Sequence, residues 1–455
     1  MFVEKVKSTG LAHLSYVIGS AGEAAVVDPR RDCAVYIELA AAQNCRITHI
    51  FETHRNEDLV SGASALSALT GAAVYHGPNP ADEVVYASTA VEGDQFSVGK
   101  VRLRALETPG HTDDSLSFAL YDTDFGEQAV AVFTGDALFV GDVGRTDFYP
   151  DRAREVAGLL YDSLQKILQL GDQAIVYPAH GAGSVCGSGM ADRELSTLGY
   201  ERMNNPRLQI EQRDAFIEAK ISEHHLQPPY FRHMEELNLS GASPVRHPLA
   251  PAPLTSQRFK ELRQNCVLVD VRSASSFLGA HLPDSLALPV NMISAFAGWL
   301  LEPGDELILV ATDAEQASLA ALHLARIGYD RIKGFLAPSL AAWAAAGEAF
   351  GTLPVVDART VRERRRETHE GWTLLDVRDE EEFAQVAIPG ARHLYVGELP
   401  GKLAELDPQR AYTVMCGSGA RATIAASVLL RAGFDKVDLF LGSMGAWKSI
   451  GFSTE

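Results

Sequence analysis

Short apolar runs alternate with polar stretches along the whole chain, and the first half repeats one design several times. AAVVDP (24–29), ITHIFETH (47–54), VRLRALETPGH (101–111) and AVAVFTGD (129–136) each carry an apolar run straight into polar, reactive residues. Apolar runs of this length bounded by turn residues predict buried strands. Reactive side chains at strand ends sit on loops held by a rigid scaffold. A layered α/β domain with a loop-built site is therefore expected over residues 1–235. Residues 236–254 close on SPVRHPLAPAPL, a Pro-rich polar stretch that reads as a linker.

Beyond the linker the pattern repeats. CVLVDVR (266–272) returns as WTLLDVR (372–378), and HLPDS (281–285) as AIPGA (387–391). LARIGYDRI (324–332) returns as LLRAGFDKV (429–437), and Trp343 as Trp447, so the offset stays between 104 and 106 residues. A constant offset assigns two copies of one α/β domain, 255–350 and 355–455.

The length of 455 residues agrees with several domains, because single cores stop growing well below that size. A formal net charge of −19 lacks the basic footprint of a nucleic-acid binder. No apolar run reaches the ~18–20 residues of a membrane span. The opening MFVEKVKSTGLAHLSYVIGS has no basic region followed by a long apolar one, so no signal peptide is expected. The five cysteines, Cys33, Cys45, Cys186, Cys266 and Cys416, are odd in number and widely spaced. They do not form a disulfide framework, and a reducing cytoplasm is the expected compartment.

Four segments carry the chemistry of the first half: Thr53-His54-Arg55-Asn56-Glu57-Asp58-Leu59, Pro109-Gly110-His111-Thr112, Thr134-Gly135-Asp136 and Pro178-Ala179-His180-Gly181. In this order they resemble the metallo-β-lactamase superfamily. The resemblance implies an αββα sandwich with metal at the strand ends. Dinuclear zinc hydrolases of that family carry T-H-x-H-x-D-H, whereas this chain has Asn56 and Leu59 at the second and third histidine positions. Leu59 cannot ligate a metal, and Asn56 offers only a neutral amide oxygen. His54, His111 and Asp136 remain, which is the two-imidazole, one-carboxylate set of a non-haem Fe(II) facial triad. The persulfide dioxygenase branch of the superfamily is known for that set, and EDLVSG and PPYF also look like persulfide dioxygenases fused to rhodaneses. The resemblance implies one Fe(II) per chain, with a small-molecule persulfide and O2 as substrates. A glyoxalase-II-like thioester hydrolase shares the fold and is the alternative. Asp58 and His180 are expected to orient ligands or waters around the metal. Asp28 is expected as a turn acid lining the site. Cys186, in a Gly- and Ser-rich stretch after His180, is a candidate sulfur carrier. Cys33, Cys45 and Cys266 are expected as packing.

AYTVMCGSGARATIAASVLLRAGF (411–434) reads as strand, Gly-rich loop and helix, with Cys416 first in the loop and Arg421 opening the helix. Backbone N–H groups of Gly417, Ser418, Gly419 and Ala420 can form a cradle for an anion, to which the helix N-terminus adds positive potential. Arg421 is expected to add charge. This setting suits a nucleophilic thiolate or persulfide at Cys416. The segment resembles the rhodanese family, with Asp376-Val377-Arg378 and Ile388-Pro389-Gly390-Ala391 in support. The resemblance implies sulfane-sulfur transfer that forms or uses thiosulfate, with sulfite as partner. In the middle copy Ala311 and Gln316 stand at the Cys416 and Arg421 positions, so residues 255–350 are read as an inactive rhodanese-like domain. Asp270 and Arg272 are scaffold, and a homo-oligomer is expected.

Overall fold

A computed structural model describes residues 1–79, 82–184, 189–245, 249–367 and 371–455. Two compact units are distinguished: Met1–His247 with Ala325–Gly328, and Pro248–Leu324 with Tyr329–Glu455.

The first unit contains two six-stranded sheets. One runs Phe2–Ser8, His13–Ser20, Glu23–Val27, Arg46–Phe51, Ala73–His76 and Ser88–Thr89 in that spatial order. Its first three strands are antiparallel neighbours, and the rest pair in parallel. The other runs Gln95–Val98, Val101–Glu107, Leu116–Asp122, Ala131–Gly135, Ile175–Pro178 and Ser196–Thr197. Tyr16, Ile18, Val27 and Phe51 of the first sheet pack against Leu103, Phe118, Leu120 and Phe133 of the second. The other face of the first sheet is covered by the helices Ala34–Ala42 and Ala63–Thr70 through Tyr36, Ala40 and Leu66. The helix Ala153–Leu168 covers the second sheet. Its buried Val156, Leu160, Leu164 and Ile167 recur at i+4 and i+3, which puts them on one stripe. The layers are therefore α, β, β, α, as the family resemblance implied. The runs ending at Asp28, His54, His111 and Asp136 all form strands or strand ends.

The helix Phe231–Ser240 crosses residue 235, where the sequence placed the start of the linker. Composition misled there, because the helix is tied down by one side chain. Asn238 is buried, donates to the Asn56 and Leu59 carbonyls, and accepts from the Ser61 N–H. A polar residue in a polar stretch thus belongs to the first domain's interior.

The second unit holds two five-stranded parallel sheets of one topology. The first orders Pro253–Leu254, Ile332–Leu336, Leu307–Val310, Val267–Asp270 and Leu286–Ala287. The second orders Val355–Val356, Val437–Phe440, Ala411–Met415, Trp372–Asp376 and Arg392–His393. The repeat is thus a repeat of structure. Trp343 and Trp447 are both buried, and their indole N–H groups donate to the Ala349 and Ser453 carbonyls six residues on. Asp270 accepts from Arg272, as Asp376 does from Arg378. Among the described residues no helix is long and apolar enough to cross a membrane.

Trp447 is 1% exposed and meets Phe440 and Phe452 edge-on. Trp447→Ala is expected to destabilise the second unit by about 3–5 kcal/mol. Leu319→Ala, at a surface position, should change it by less than about 0.5 kcal/mol. Urea midpoints of the full chain check both.

Candidate metal centre and sulfur-transfer loop

His54 and Asp136 leave strands of different sheets, Arg46–Phe51 and Ala131–Gly135, while His111 follows Val101–Glu107. The sandwich brings the three together. Their ligand atoms lie within 4.8 Å of one another, and all three residues are buried. Among the described residues this is the one such group. Asp136 Oδ2 is 3.8 Å from His54 Nε2 and 3.6 Å from His111 Nε2.

The hydrogen bonds behind each ring decide which nitrogen faces inward. Asp28 accepts from the Thr53 N–H at 2.7 Å and from Thr53 Oγ1 at 2.9 Å. Having donated its proton, Thr53 Oγ1 accepts from His54 Nδ1 at 2.9 Å. His111 Nδ1 donates to the Arg145 carbonyl at 3.0 Å. Each ring thus carries its hydrogen on Nδ1 and turns the Nε2 lone pair inward, which is how a second partner fixes a metal-ligating tautomer. Both Nε2 atoms are buried without a hydrogen-bond partner. Two orphaned imidazole nitrogens beside a carboxylate fit a metal ion, since unsatisfied buried polar atoms are otherwise costly.

His180 does not join the three. Its Nδ1 lies 2.8 and 2.9 Å from the two Asp136 oxygens, and its Nε2 lies 3.2 Å from Asp58 Oδ2. His13 stacks edge-on against it at 5.5 Å. A cavity of about 450 Å³ reaches His13 and His180 and is also lined by Leu14, Val140, Met190 and Arg193. Cys186 lies outside the described residues.

Electrostatics follow from burial opposed by neighbours. Burial lowers the pKa of His54. His111 is raised above its usual value, because Glu57 and Asp136 outweigh the opposing effect of burial. Burial pushes Asp136 up, but His180, His54 and His111 hold it well below the carboxylate range. Asp28, fully enclosed, is pushed up to about 7 by burial in spite of the Thr53 hydrogen bonds. Its backbone is left-handed at φ +50°, which aims the carboxylate at Thr53.

The sequence reading passed over Glu57. It is 2% exposed, and its Oε1 lies 3.3 Å from His111 Nε2. It also passed over Asn238 and the Tyr230 hydroxyl, which donates to the Asp58 carbonyl at 3.0 Å and steadies the same loop.

In the last domain the strand Ala411–Met415 ends at buried Cys416, and the helix Ala420–Arg431 begins four residues on. Gly419 takes φ +118° as the helix N-cap, and its N–H donates to Cys416 Sγ at 3.1 Å. The loop is pinned from outside. Ser443 Oγ accepts from the Cys416 N–H, and the Met444 and Gly445 N–H groups donate to the Cys416 and Gly417 carbonyls. Arg421 also has partners within the fold. Its guanidinium is held by Glu382 through two bonds of 2.5 and 2.8 Å, with Asp379 at 3.6 Å. Much of its charge is therefore answered within the fold. In the middle copy the Gln316 side chain accepts from the Thr312 N–H, and Asp313 accepts from the Gln316 N–H, so the corresponding loop closes on itself.

The metallo-β-lactamase superfamily matches residues 8–180, and the rhodanese-like domain matches residues 255–346 and 357–450. The mouse protein "Persulfide dioxygenase ETHE1, mitochondrial" is 32% identical over 211 residues, which cover 43% of this chain and 71% of the mouse protein. The chain belongs to the metallo-β-lactamase superfamily. It joins that fold to two rhodanese-like domains. Hydroxyacylglutathione hydrolase of Rhodospirillum rubrum is 34% identical over 162 residues, 35% of this chain and 57% of that enzyme. The chain thus spans little more than half the length of that relative. A crystal structure of a metallo-β-lactamase from Staphylococcus aureus subsp. aureus COL superposes with a TM-score of 0.67 at 30% identity. The match covers 74% of this superfamily member and 98% of the staphylococcal chain.

Gly135, just before Asp136, has φ +53°, and a Cβ there would meet Thr53 at 2.7 Å. Gly135→Ala should displace Thr53, release the anchor of His54 Nδ1 and lower the metal content of the purified protein. The strain is expected to cost about 1–3 kcal/mol. Metal analysis and a thermal melt of the same sample read the two effects.

Proposed function

We propose that the first unit oxidises a low-molecular-weight persulfide with O2 at a single ferrous ion, and that Cys416 transfers sulfane sulfur. The observation carrying the first half is the ligand set: His54, His111 and Asp136 turned inward, with Leu59 where a further histidine would stand. Likeness to the mouse persulfide dioxygenase supports the same reading. His54, His111 and Asp136 would hold the iron, which when bound supplies neighbouring positions at which a sulfur and dioxygen can meet. The residues around them do the positioning. Thr53 and the Arg145 carbonyl keep both imidazoles in one tautomer. His180 holds Asp136 in place, and Asp58 holds His180. The closed, buried setting excludes bulk water, which strengthens every charge interaction inside it.

The stoichiometry balances as one persulfide, one O2 and one water giving one thiol and one sulfite. The terminal sulfur loses four electrons, and dioxygen gains them. At the second site the Cys416 thiolate carries a sulfane sulfur. Attack by sulfite on the outer sulfur breaks the S–S bond, forms thiosulfate and returns the thiolate; the reverse consumes thiosulfate. The Gly419 N–H at Sγ and the helix behind it stabilise the anion in both directions. Soluble action in the cytoplasm fits this chemistry.

The likeness to hydroxyacylglutathione hydrolase favours a second reading, hydrolysis of a thioester at two zinc ions. Asn56 and Leu59 in place of imidazoles weigh against it. Anaerobic metal analysis is expected to find one iron per chain. An oxygen electrode should record O2 uptake with glutathione persulfide or a related persulfide. Two zinc ions per chain, or no uptake by the iron-loaded protein, would overturn the oxidative reading. Asp136→Ala should abolish O2 uptake and spare sulfur transfer. Cys416→Ser should do the reverse.

A further inference from the structure

The two rhodanese-like domains carry the same surface cavity, and its chemistry differs between them. In each, the fifth, eighth and ninth residues after a helix cap line it beside the buried tryptophan. These are Lys260, Arg263 and Gln264 after Thr255, with Trp343, and Arg362, Arg365 and Arg366 after Asp357, with Trp447. The volumes are about 600 and 490 Å³.

In the middle copy acids answer the cations. Lys260 lies 5.7 Å from the Trp343 ring centroid and pairs with Glu348, and Asp284 stands 3.9 Å from Arg263. Arg431 lines the same cavity. The repeat puts Phe452 at the Glu348 position, five residues after the tryptophan, and Gly390 at the Asp284 position. Both acids are thus gone from the last copy, while all three helix positions become arginine. Arg362 lies over the Phe452 ring at 4.3 Å and Arg365 over the Trp447 ring at 5.6 Å, and the two rings meet edge-on at 4.9 Å. Among the described residues no carboxylate pairs with Arg362, Arg365 or Arg366, and none of the three donates a hydrogen bond to the protein. Glu455 acts on Arg365 through space, but its Oε1 accepts from the Gly390 N–H.

We infer that this cavity of the last domain binds a small phosphate-bearing polyanion through Arg362, Arg365 and Arg366, above a floor formed by Phe452 and Trp447. Like charges three and four residues apart on a helix repel, so the arrangement is unfavourable until an anion answers it. The helix dipole favours cations in a last turn, but it does not account for the loss of both acids. With a formal net charge of −19 the chain repels anions in general, and a site for one needs such a local excess of cations. The planar guanidinium fork matches phosphate oxygens two at a time, and stacking on a ring keeps its N–H edge exposed. Three guanidiniums suit more than one phosphate, and the volume suits a small molecule.

The test is calorimetric titration of the full-length protein at physiological ionic strength with inorganic diphosphate and with ADP. Adenosine is the control. Metal content is measured before and after, because diphosphate chelates metals. One site per chain is expected for both probes and none for adenosine. Arg362→Gln and Arg366→Gln should each lower the affinity by about ten-fold. Phe452→Glu, which restores the acid of the middle copy, should abolish binding. Thermal melts check folding, and Arg366 is exposed, so its variant remains informative if Phe452→Glu does not fold. Cys416→Ser should bind both probes as the wild type does. The inference is overturned if the wild type binds neither probe, if adenosine binds as well as ADP, or if both arginine variants bind unchanged. Loss of binding in Cys416→Ser would also overturn it, since the anion would then sit at the sulfur-transfer loop.

Discussion

Everything at the metal centre depends on two hydrogen bonds that point away from it. An imidazole can offer a lone pair from either nitrogen, and only the partner of the other nitrogen decides which. Here a threonine hydroxyl, already committed to Asp28, takes the proton of His54 Nδ1, and a backbone carbonyl takes that of His111 Nδ1. Neither partner is itself a ligand. Asp28 reaches Thr53 only because its backbone adopts a left-handed turn, and Gly135 leaves Thr53 its room only because it lacks a Cβ. These two turns leave a site whose donors are set before any metal arrives, which spares reorganisation on binding.

How much of this the sequence disclosed follows from the range of the forces involved. Strand runs, the internal repeat and the ends of the strands are local patterns, and they were legible. His54, His111 and Asp136 were legible because each sits in an ordered motif. Glu57 was not, because a motif read by what it lacks draws attention to Asn56 and Leu59 and passes over the acid between them. Only the turn of the loop brings that acid back to the imidazoles. Asn238 was hidden more deeply. It contacts the ligand loop from about 180 residues further along the chain, in a stretch whose polarity suggested a linker. A single free clue existed: Asn238 lies three and four residues beyond Glu235 and Met234, on a helix that buries Met234 as well. Arg421 stands beside the loop, and Glu382, from a different helix, also binds it, a contact that the loop's own sequence does not disclose.

The middle copy, whose loop lacks a cysteine, gains a structural meaning within the second unit. The helix Ala420–Arg431, whose N-terminus carries the Cys416 loop, is buried on nearly every face from Ala422 to Leu429. Its own sheet covers only one side of it. The middle copy supplies cover elsewhere: Ser427 Oγ accepts from the Ala287 N–H at 2.9 Å. A loop that had kept a cysteine would need its cradle open to solvent and substrate. The loop around Thr312 and Gln316 instead spends its backbone donors on its own side chains, which suits a domain retained for packing.

Joining two sulfur chemistries in one chain also has a chemical logic that does not require the sites to touch. Sulfite is the product expected of the first site and a nucleophile for the persulfide of the second. A linked pair raises the local concentration of a small anion only modestly, because free diffusion outruns any tether for a molecule of that size. The larger effect of covalent linkage is stoichiometric, since each oxidising centre is made with one sulfur-transfer loop. Free sulfite would accumulate only where the first site made it faster than the second consumed it. Nothing in the proposed chemistry asks the middle domain to carry sulfur, so a copy without a cysteine in its loop can stand between the two sites and support the helix behind Cys416.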